Sequence, residues 1–304
     1  MGLGFHALHL LAYAKNDGAE FAKVCTIGRQ GLHISPDVLA WALREIGSPR
    51  SDAEIASLYA TGFCEDLLKS VFGAETVDSM DASSYEGATL VHDLNVPLDD
   101  PPTFDVVMDF GTLEHVFNAP AALSTMIRMC RAGGRIIHVL PCNNFCGHGF
   151  WQFSPELFFS LYSKERGFDA LDVFVARESE TLHWRKVRST LEKKDRVLLT
   201  NSFETFVLVV ARKAGEATDP LAVAPQQSDY EGATWVEGGE GDRHSSERSS
   251  AASRMDYHLS RLGLRQLFKY LVQMVRRYRE QRAAPDYETV PLPAQPRRSS
   301  PGGA

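Results

Sequence analysis

The residues best suited to chemistry lie in two stretches, each directly after an apolar run. The first is Asp109-Phe-Gly-Thr-Leu-Glu-His115, which follows FDVVM. Glu114 beside His115 is a pair that can handle protons: the carboxylate orients the ring, and a neutral imidazole accepts a proton near neutral pH. Such a pair can equally shape a loop and cap a helix. The second stretch runs from Pro141 to Pro155, PCNNFCGHGFWQFSP, and is dense in polar, aromatic and glycine residues. Asn143, Asn144, His148 and Gln152 there can orient a polar acceptor, while Phe150 and Trp151 can wall a pocket or stack on a ring. Cys142, Cys146 and His148 invite a metal reading, with His115 or His138 completing the set in space. Their spacing is not that of a zinc knuckle and no fourth ligand is evident, so no metal is assigned. Buried cysteines and a hydrogen-bonded histidine are the plainer account. His92 and His138 lie within apolar runs and read as structural.

The elements that must position these residues follow from periodicity. Residues 105–108 read as a short buried strand, 120–130 as a helix, Gly133-Gly134 as a turn and 135–140 as a second apolar strand. That is a β-α-β unit, which implies parallel strands in a covered sheet. Ligands of open sheets of this kind bind outside the carboxyl ends of the strands, where Asp109, Gly111, Glu114 and His115 fall. Upstream, a helix over 3–14 precedes a strand over 21–27, and Gly28 to Gly31 turns away from it. Ser35 followed by Pro36 starts a helix, and two more are predicted over 52–60 and 64–72. Short strands follow over 76–80 and 89–92. Downstream, Ser154-Pro155 opens a helix, and strands are predicted over 168–175 and 204–212. The charged stretch 179–196 between them reads as a substrate-side excursion or a solvated helix.

FDVV-x(6)-EHV, followed by a helix, Gly-Gly and an apolar strand ending in Pro141, resembles the class I S-adenosylmethionine-dependent methyltransferases, in the branch with an EH pair after the fourth strand. The resemblance implies an α/β, Rossmann-like fold with a mostly parallel seven-stranded sheet, over a domain spanning 1–213 with a helical insertion at about 35–72. It implies S-adenosyl-L-methionine as cofactor. Gly28 matches the first glycine of the family's glycine-rich loop and permits close backbone approach. Gln30 stands where the second glycine is expected, Thr26 replaces the acidic residue, and Arg29 either turns outward or meets the methionine carboxylate. Asp81, at the end of a strand, matches the acid for the ribose hydroxyls, with Asp78 as the runner-up and a simple turn residue as the plain alternative. Asp93 and Leu94 match the adenine contacts. Asp109 and Gly111 match the methionine end. Glu114, Asn143, Asn144, Trp151 and Gln152 are the candidate acceptor-binding residues, and His115 and His148 the candidate catalytic ones. The implied activity is methyl transfer to an oxygen or nitrogen nucleophile of a small molecule. The alternative is a catalytically inactive methyltransferase-like scaffold or regulatory subunit.

The whole chain sets wider bounds. With 304 residues, 44% of them apolar, it can bury one full α/β core and carry appendages. A formal charge of -7 argues against a nucleic-acid partner. Five cysteines form an odd set that fits a reducing compartment, and no stretch approaches the roughly 18 apolar residues of a membrane span, so a cytoplasmic protein is expected. Residues 214–253 read as a flexible linker. Within it, 228–236 nearly copies 83–91, with seven of nine positions identical, either as a duplication remnant or as a segment that pairs where the first copy does. Residues 254–283 read as an amphipathic basic helix, suited to docking on its own domain or on a twin subunit, with membrane-surface contact as a less favoured reading. Residues 284–304 are expected to be disordered.

Overall fold

The computed structural model describes residues 2–189, 203–227 and 287–292, and the single positions Leu271 and Val275. The helix expected over 254–283 (those two positions apart) and the near-repeat at 228–236 lie outside the described residues.

The chain opens with α1 (Phe5–Asn16), then β1 (Lys23–Ile27), α2 (Pro36–Glu45), α3 (Asp52–Leu58) and α4 (Glu65–Leu67), which runs on as a π-turn over Leu68–Phe72. β2 (Thr76–Asp81), β3 (Leu90–Val91) and β4 (Phe104–Asp109) follow, then a 3₁₀ turn at Leu113–His115, α5 (Ala119–Met129) and β5 (Cys130–Asn143). α6 (Pro155–Leu161), β6 (Phe168–Arg177), β7 (His183–Val187), β8 (Thr205–Lys213) and β9 (Tyr287–Pro291) complete it. Local signals place several starts. Ser51 and Glu54 form a reciprocal capping box on α3, and the Ser154 hydroxyl accepts from the Glu156 N–H at the start of α6. Ser35 precedes α2, but its side chain makes no cap bond; Pro36 alone presets the first turn.

The expected α/β, Rossmann-like fold holds. One sheet orders the strands β3-β2-β1-β4-β5-β8-β6-β7-β9. β1 to β5 pair in parallel, whereas β8 runs antiparallel between β5 and β6, and β7 and β9 extend that edge as an antiparallel ribbon. The sheet therefore has nine strands rather than seven. Within the stretch 179–196, residues 183–187 form β7 rather than a solvated helix, because Trp184 is an apolar anchor buried against Phe174 and His6; residues 190–196 lie outside the described residues. The expectation of disorder over 284–304 fails at Tyr287–Pro291, which pairs with β7 and gives its backbone groups partners. The linker expectation fails for its first residues. Arg128 and Ser124 bind Asp219, and the N–H groups of Ala214 and Thr218 donate to Gly167 and Arg166.

Period-2 alternation explains the two-sided core. In β8, Phe206, Leu208 and Val210 face the layer formed by α1–α4, while Val207, Val209 and Ala211 face α5 and α6. β4 is buried along its whole length. The Gly133-Gly134 turn is an irregularity inside the β4–β5 ladder, where pairing jumps from Phe104–Cys130 to Val106–Arg135. Gly134 has no room for a Cβ between the Asp105 carbonyl and Cys130.

Candidate functional site

The strand order reverses between β1 and β4, and a sheet of this kind opens its ligand crevice there. Gly28 lies at that point with φ +70°, and its N–H donates to the Met80 carbonyl at 2.7 Å. A Cβ on Gly28 would strike the Thr112 hydroxyl. The Thr112 hydroxyl donates to the Ile27 carbonyl at 2.7 Å, and Gln30 Nε2 donates to the same carbonyl at 2.6 Å and to Thr112 Oγ1 at 3.1 Å. Two side chains thus lace the loop after β1 to the loop after β4. Thr112 was missed in the sequence, since nothing distinguishes a lone Thr after a Gly from an ordinary turn residue. Gln30, where a glycine was expected, is buried and keeps Oε1 without a partner.

Arg29 turns outward. Its Nε donates to Glu65 at 2.7 Å, its guanidinium lies 3.9 Å from the centre of the Phe63 ring, and it also reaches the Glu86 carbonyl. It ties the loop after β1 to α4 and to the loop after β2. Asp81 ends β2 half-buried, opposite Val91 of β3. Asp93 is exposed and accepts from the N–H and the side-chain amide of Asn95 at 2.9 and 2.8 Å, which hold its carboxyl below the usual carboxylate range. Leu94 is buried in the core on the α5 side.

Past β4, Asp109 is fully buried. Its Oδ1 accepts from the Thr112 N–H at 2.8 Å, its Oδ2 has no partner, and His138 Nδ1 stands 3.8 Å from Oδ2. His138 Nε2 pairs with the Tyr162 hydroxyl at 2.7 Å, and its Nδ1 has no hydrogen-bond partner. Gly111 has φ +100°. Glu114 is buried, and neither carboxylate oxygen has a hydrogen-bond partner. Burial, and then the charge of Asp109, push its carboxyl up to about 8. His115, half-exposed, is lowered by burial and by its neighbour His148.

The loop after β5 folds over this point. The N–H groups of Phe150 and Trp151 both donate to the Glu114 carbonyl, at 2.7 and 3.3 Å, and Trp151 Nε1 donates to the Val116 carbonyl at 3.0 Å. Gly149, at φ +71°, leaves no room for a side chain against Glu114. These bonds carry His148 to the carboxylate: its Nε2 is 3.4 Å from Glu114 Oε1, and His115 Nε2 is 3.8 Å from the same atom. Glu114, His115 and His148 are the one cluster of three metal-type ligands among the described residues; Cys142 and Cys146 do not join it.

Three candidate acceptor residues also brace the loop. Asn144, at φ +62°, donates to the Phe203 carbonyl, Gln152 accepts from the Phe145 N–H, and Trp151 is bonded as above. A long loop must satisfy its own backbone, and polar side chains at its turns are the means. Asn143 ends β5 opposite Thr205. Beside this cluster three aromatic side chains are exposed, Phe117, Phe150 and Trp151, with Phe117 5.8 Å from Phe150 and 6.3 Å from Trp151 between ring centres. Phe117 carried no sequence signal of its own.

No helix among the described residues is long and apolar enough to cross a membrane. No protein-family model matches the chain, and neither does any curated protein. Solved structures similar to it include the N-methyltransferase NodS from Bradyrhizobium japonicum, at 8% identity and a TM-score of 0.38, covering 69% of this chain and 94% of that one. Magnesium protoporphyrin IX methyltransferase from Synechocystis, solved with bound SAH, is 13% identical with a TM-score of 0.34, covering 69% and 83%. A TehB-like SAM-dependent methyltransferase from Corynebacterium glutamicum is 13% identical with a TM-score of 0.34, covering 67% and 87%.

Proposed function

We propose that this chain is an S-adenosylmethionine-dependent methyltransferase acting on an oxygen or nitrogen nucleophile of a small molecule. The observation that supports it is the pair of buried polar atoms without partners, Gln30 Oε1 and Asp109 Oδ2, at the carboxyl ends of β1 and β4. Such atoms are costly in isolation, and at the switch point of an α/β sheet a ligand is the natural partner. Gly28 would give the cofactor close backbone approach and Asp81 would take its ribose hydroxyls. Asp109, Gly111 and Gln30 would meet its amino-acid end. Asp93 would accept from the adenine amino group with Oδ2, since both Asn95 donors use Oδ1.

When bound, the cofactor supplies an electrophilic methyl carbon on a positively charged sulfur. The chain's own work is to orient the acceptor and exclude water. Phe117, Phe150 and Trp151 wall the acceptor, and His115 and His148 present ring nitrogens at the mouth, where a neutral imidazole can accept the proton that the acceptor releases. Thermal unfolding with S-adenosylmethionine or S-adenosylhomocysteine tests this. Ligand at about one hundred times its dissociation constant adds about 2.7 kcal/mol, or roughly 5–10 °C for a domain of this size, and Asp81→Ala reduces the shift. An unchanged melting temperature refutes it.

Arg29 and the Gln30–Thr112 lacing favour a second reading, the inactive methyltransferase-like scaffold. There Gln30 and Thr112 themselves occupy the crevice, and with Arg29 they hold the loops for assembly. On that reading neither ligand shifts the parent, and Gln30→Gly opens the crevice and restores a shift.

A further inference from the structure

Glu114 is a fully buried carboxylate with both oxygens unpartnered, and His148 Nε2, facing it at 3.4 Å, is unpartnered as well. A carboxyl is buried either protonated or with a cation beside it, and a cation that displaces the proton supplies the partner that both oxygens lack. Among the described residues, no lysine or arginine makes an ion pair with Glu114, and two imidazole nitrogens stand 3.4 and 3.8 Å from it.

We propose that Glu114, His115 and His148 bind a divalent first-row transition-metal ion, with coordination positions left open toward the mouth of the site. One carboxylate oxygen and two imidazole nitrogens suit zinc, iron(II), manganese(II) or cobalt(II), and three protein ligands with open positions is the pattern of reactive rather than structural sites. At metal–ligand bonds of about 2.1 Å, neighbouring ligand atoms lie about 3.0–3.4 Å apart. The Glu114–His148 pair already has that separation, at 3.4 Å. The Glu114–His115 pair stands at 3.8 Å, and all three atoms lie within 4.8 Å of one another. His115 has 48% of its side chain exposed and His148 39%, so both rings are free to turn inward onto an ion and leave it open to solvent on one side.

The site is built rather than accidental. The donations from Phe150 and Trp151 to the Glu114 carbonyl, and the bare α-carbon of Gly149 against Glu114, pin the loop so that His148 meets the carboxylate. Glu114 and His115, adjacent in a 3₁₀ turn, both reach the same point. A metal there polarises a bound acceptor oxygen or nitrogen directly; with the ion bound the two imidazoles are ligands, and their proton-accepting role belongs to the metal-free chain. The site stands whether or not the chain binds a sulfonium cofactor, and its test needs none.

The full, untagged chain, stripped with chelator and dialysed, is titrated calorimetrically with cobalt(II) and with zinc, and the cobalt complex is followed by visible absorption. One ion per chain is expected, with cobalt bands that indicate mixed nitrogen and oxygen ligation. His148→Ala and Glu114→Gln each weaken affinity at least about tenfold, the lower bound for disturbing even the outer shell of a metal site. His148→Ala removes a partly exposed ring, so it remains decisive if the buried Glu114→Gln change prevents folding. The absence of saturable binding to the folded parent overturns the proposal. So does binding that persists unchanged in the His115→Ala, His148→Ala double variant, which would place the ion elsewhere.

Discussion

His6 makes the stability of this fold sensitive to acid. It lies in α1, buried, with Nε2 at 2.9 Å from the Arg177 carbonyl and Nδ1 accepting from Trp184 Nε1 at 3.1 Å. Both ring nitrogens are therefore used by the neutral form: Nε2–H donates, and the lone pair on Nδ1 accepts. A second proton would face the indole N–H and break the link between α1 and β7. Burial lowers the ring from 6.5 to about 4. The unfolded chain takes up a proton as pH falls through about 6.5, while the folded chain does so only near 4. Stability is complete above 6.5 and is lost progressively down to 4, by about 3 kcal/mol at 1.36 kcal/mol per pH unit. His9, lowered by burial in the same helix, acts in the same direction. Glu114, raised to about 8, acts in the opposite direction above its unfolded value. The comparison must therefore be made with His6→Gln, whose amide can replace both hydrogen bonds but does not titrate. Urea unfolding followed by tryptophan fluorescence at pH 4 to 7.5, with chelator present, should show the parent losing about 3 kcal/mol relative to the variant on descending from pH 7. Parallel pH curves for parent and variant would refute the assignment.

Gly28→Ala should destabilise the folded chain by about 1–3 kcal/mol, because it forces a side chain into the left-handed region and against Thr112; chemical denaturation measures it. Thr112→Val removes the hydroxyl that joins the Ile27 carbonyl to Gln30 and should cost about 1–3 kcal/mol, with faster amide exchange confined to the two loops it joins. Lys213→Met should cost about 1 kcal/mol and loosen the last turn of α5, since Lys213 Nζ donates to the Ile127 and Cys130 carbonyls at 2.8 and 2.7 Å; exchange of the α5 amides reports it.

The parts of the fold legible in the sequence are those where local pattern and burial agree. FDVVM and the apolar run ending at Pro141 were visible because strands buried on both faces are continuously apolar. β7 and β9 were not visible as strands. His183–Val187 carries Arg185 and Lys186 on a half-exposed ribbon, and its anchor, Trp184, acquires meaning only against Phe174 and His6, far away in sequence. For the site, Glu114, His115 and His148 could be named as chemically capable, but not as one cluster, because the bonds that join them run from backbone N–H groups to the Glu114 carbonyl and leave no mark on residue type. Asn144 and Gln152 look like acceptor contacts in sequence for the same reason that they brace the loop: both tasks need a polar side chain near a turn. Gln30 was recognisable as a departure from glycine, yet its capture by Ile27 and Thr112 depends on the approach of a second loop.

Calorimetric titration of S-adenosylhomocysteine into the purified chain, beside Asp81→Ala and Gln30→Gly, tests the proposed function most directly. Saturable binding to the parent at one site per chain, weakened at least about tenfold in Asp81→Ala by loss of the charged hydrogen bonds to the ribose, is the result the account predicts. A flat titration of the folded parent, with heat appearing only in Gln30→Gly, would contradict it and leave the crevice as a closed, load-carrying part of a scaffold.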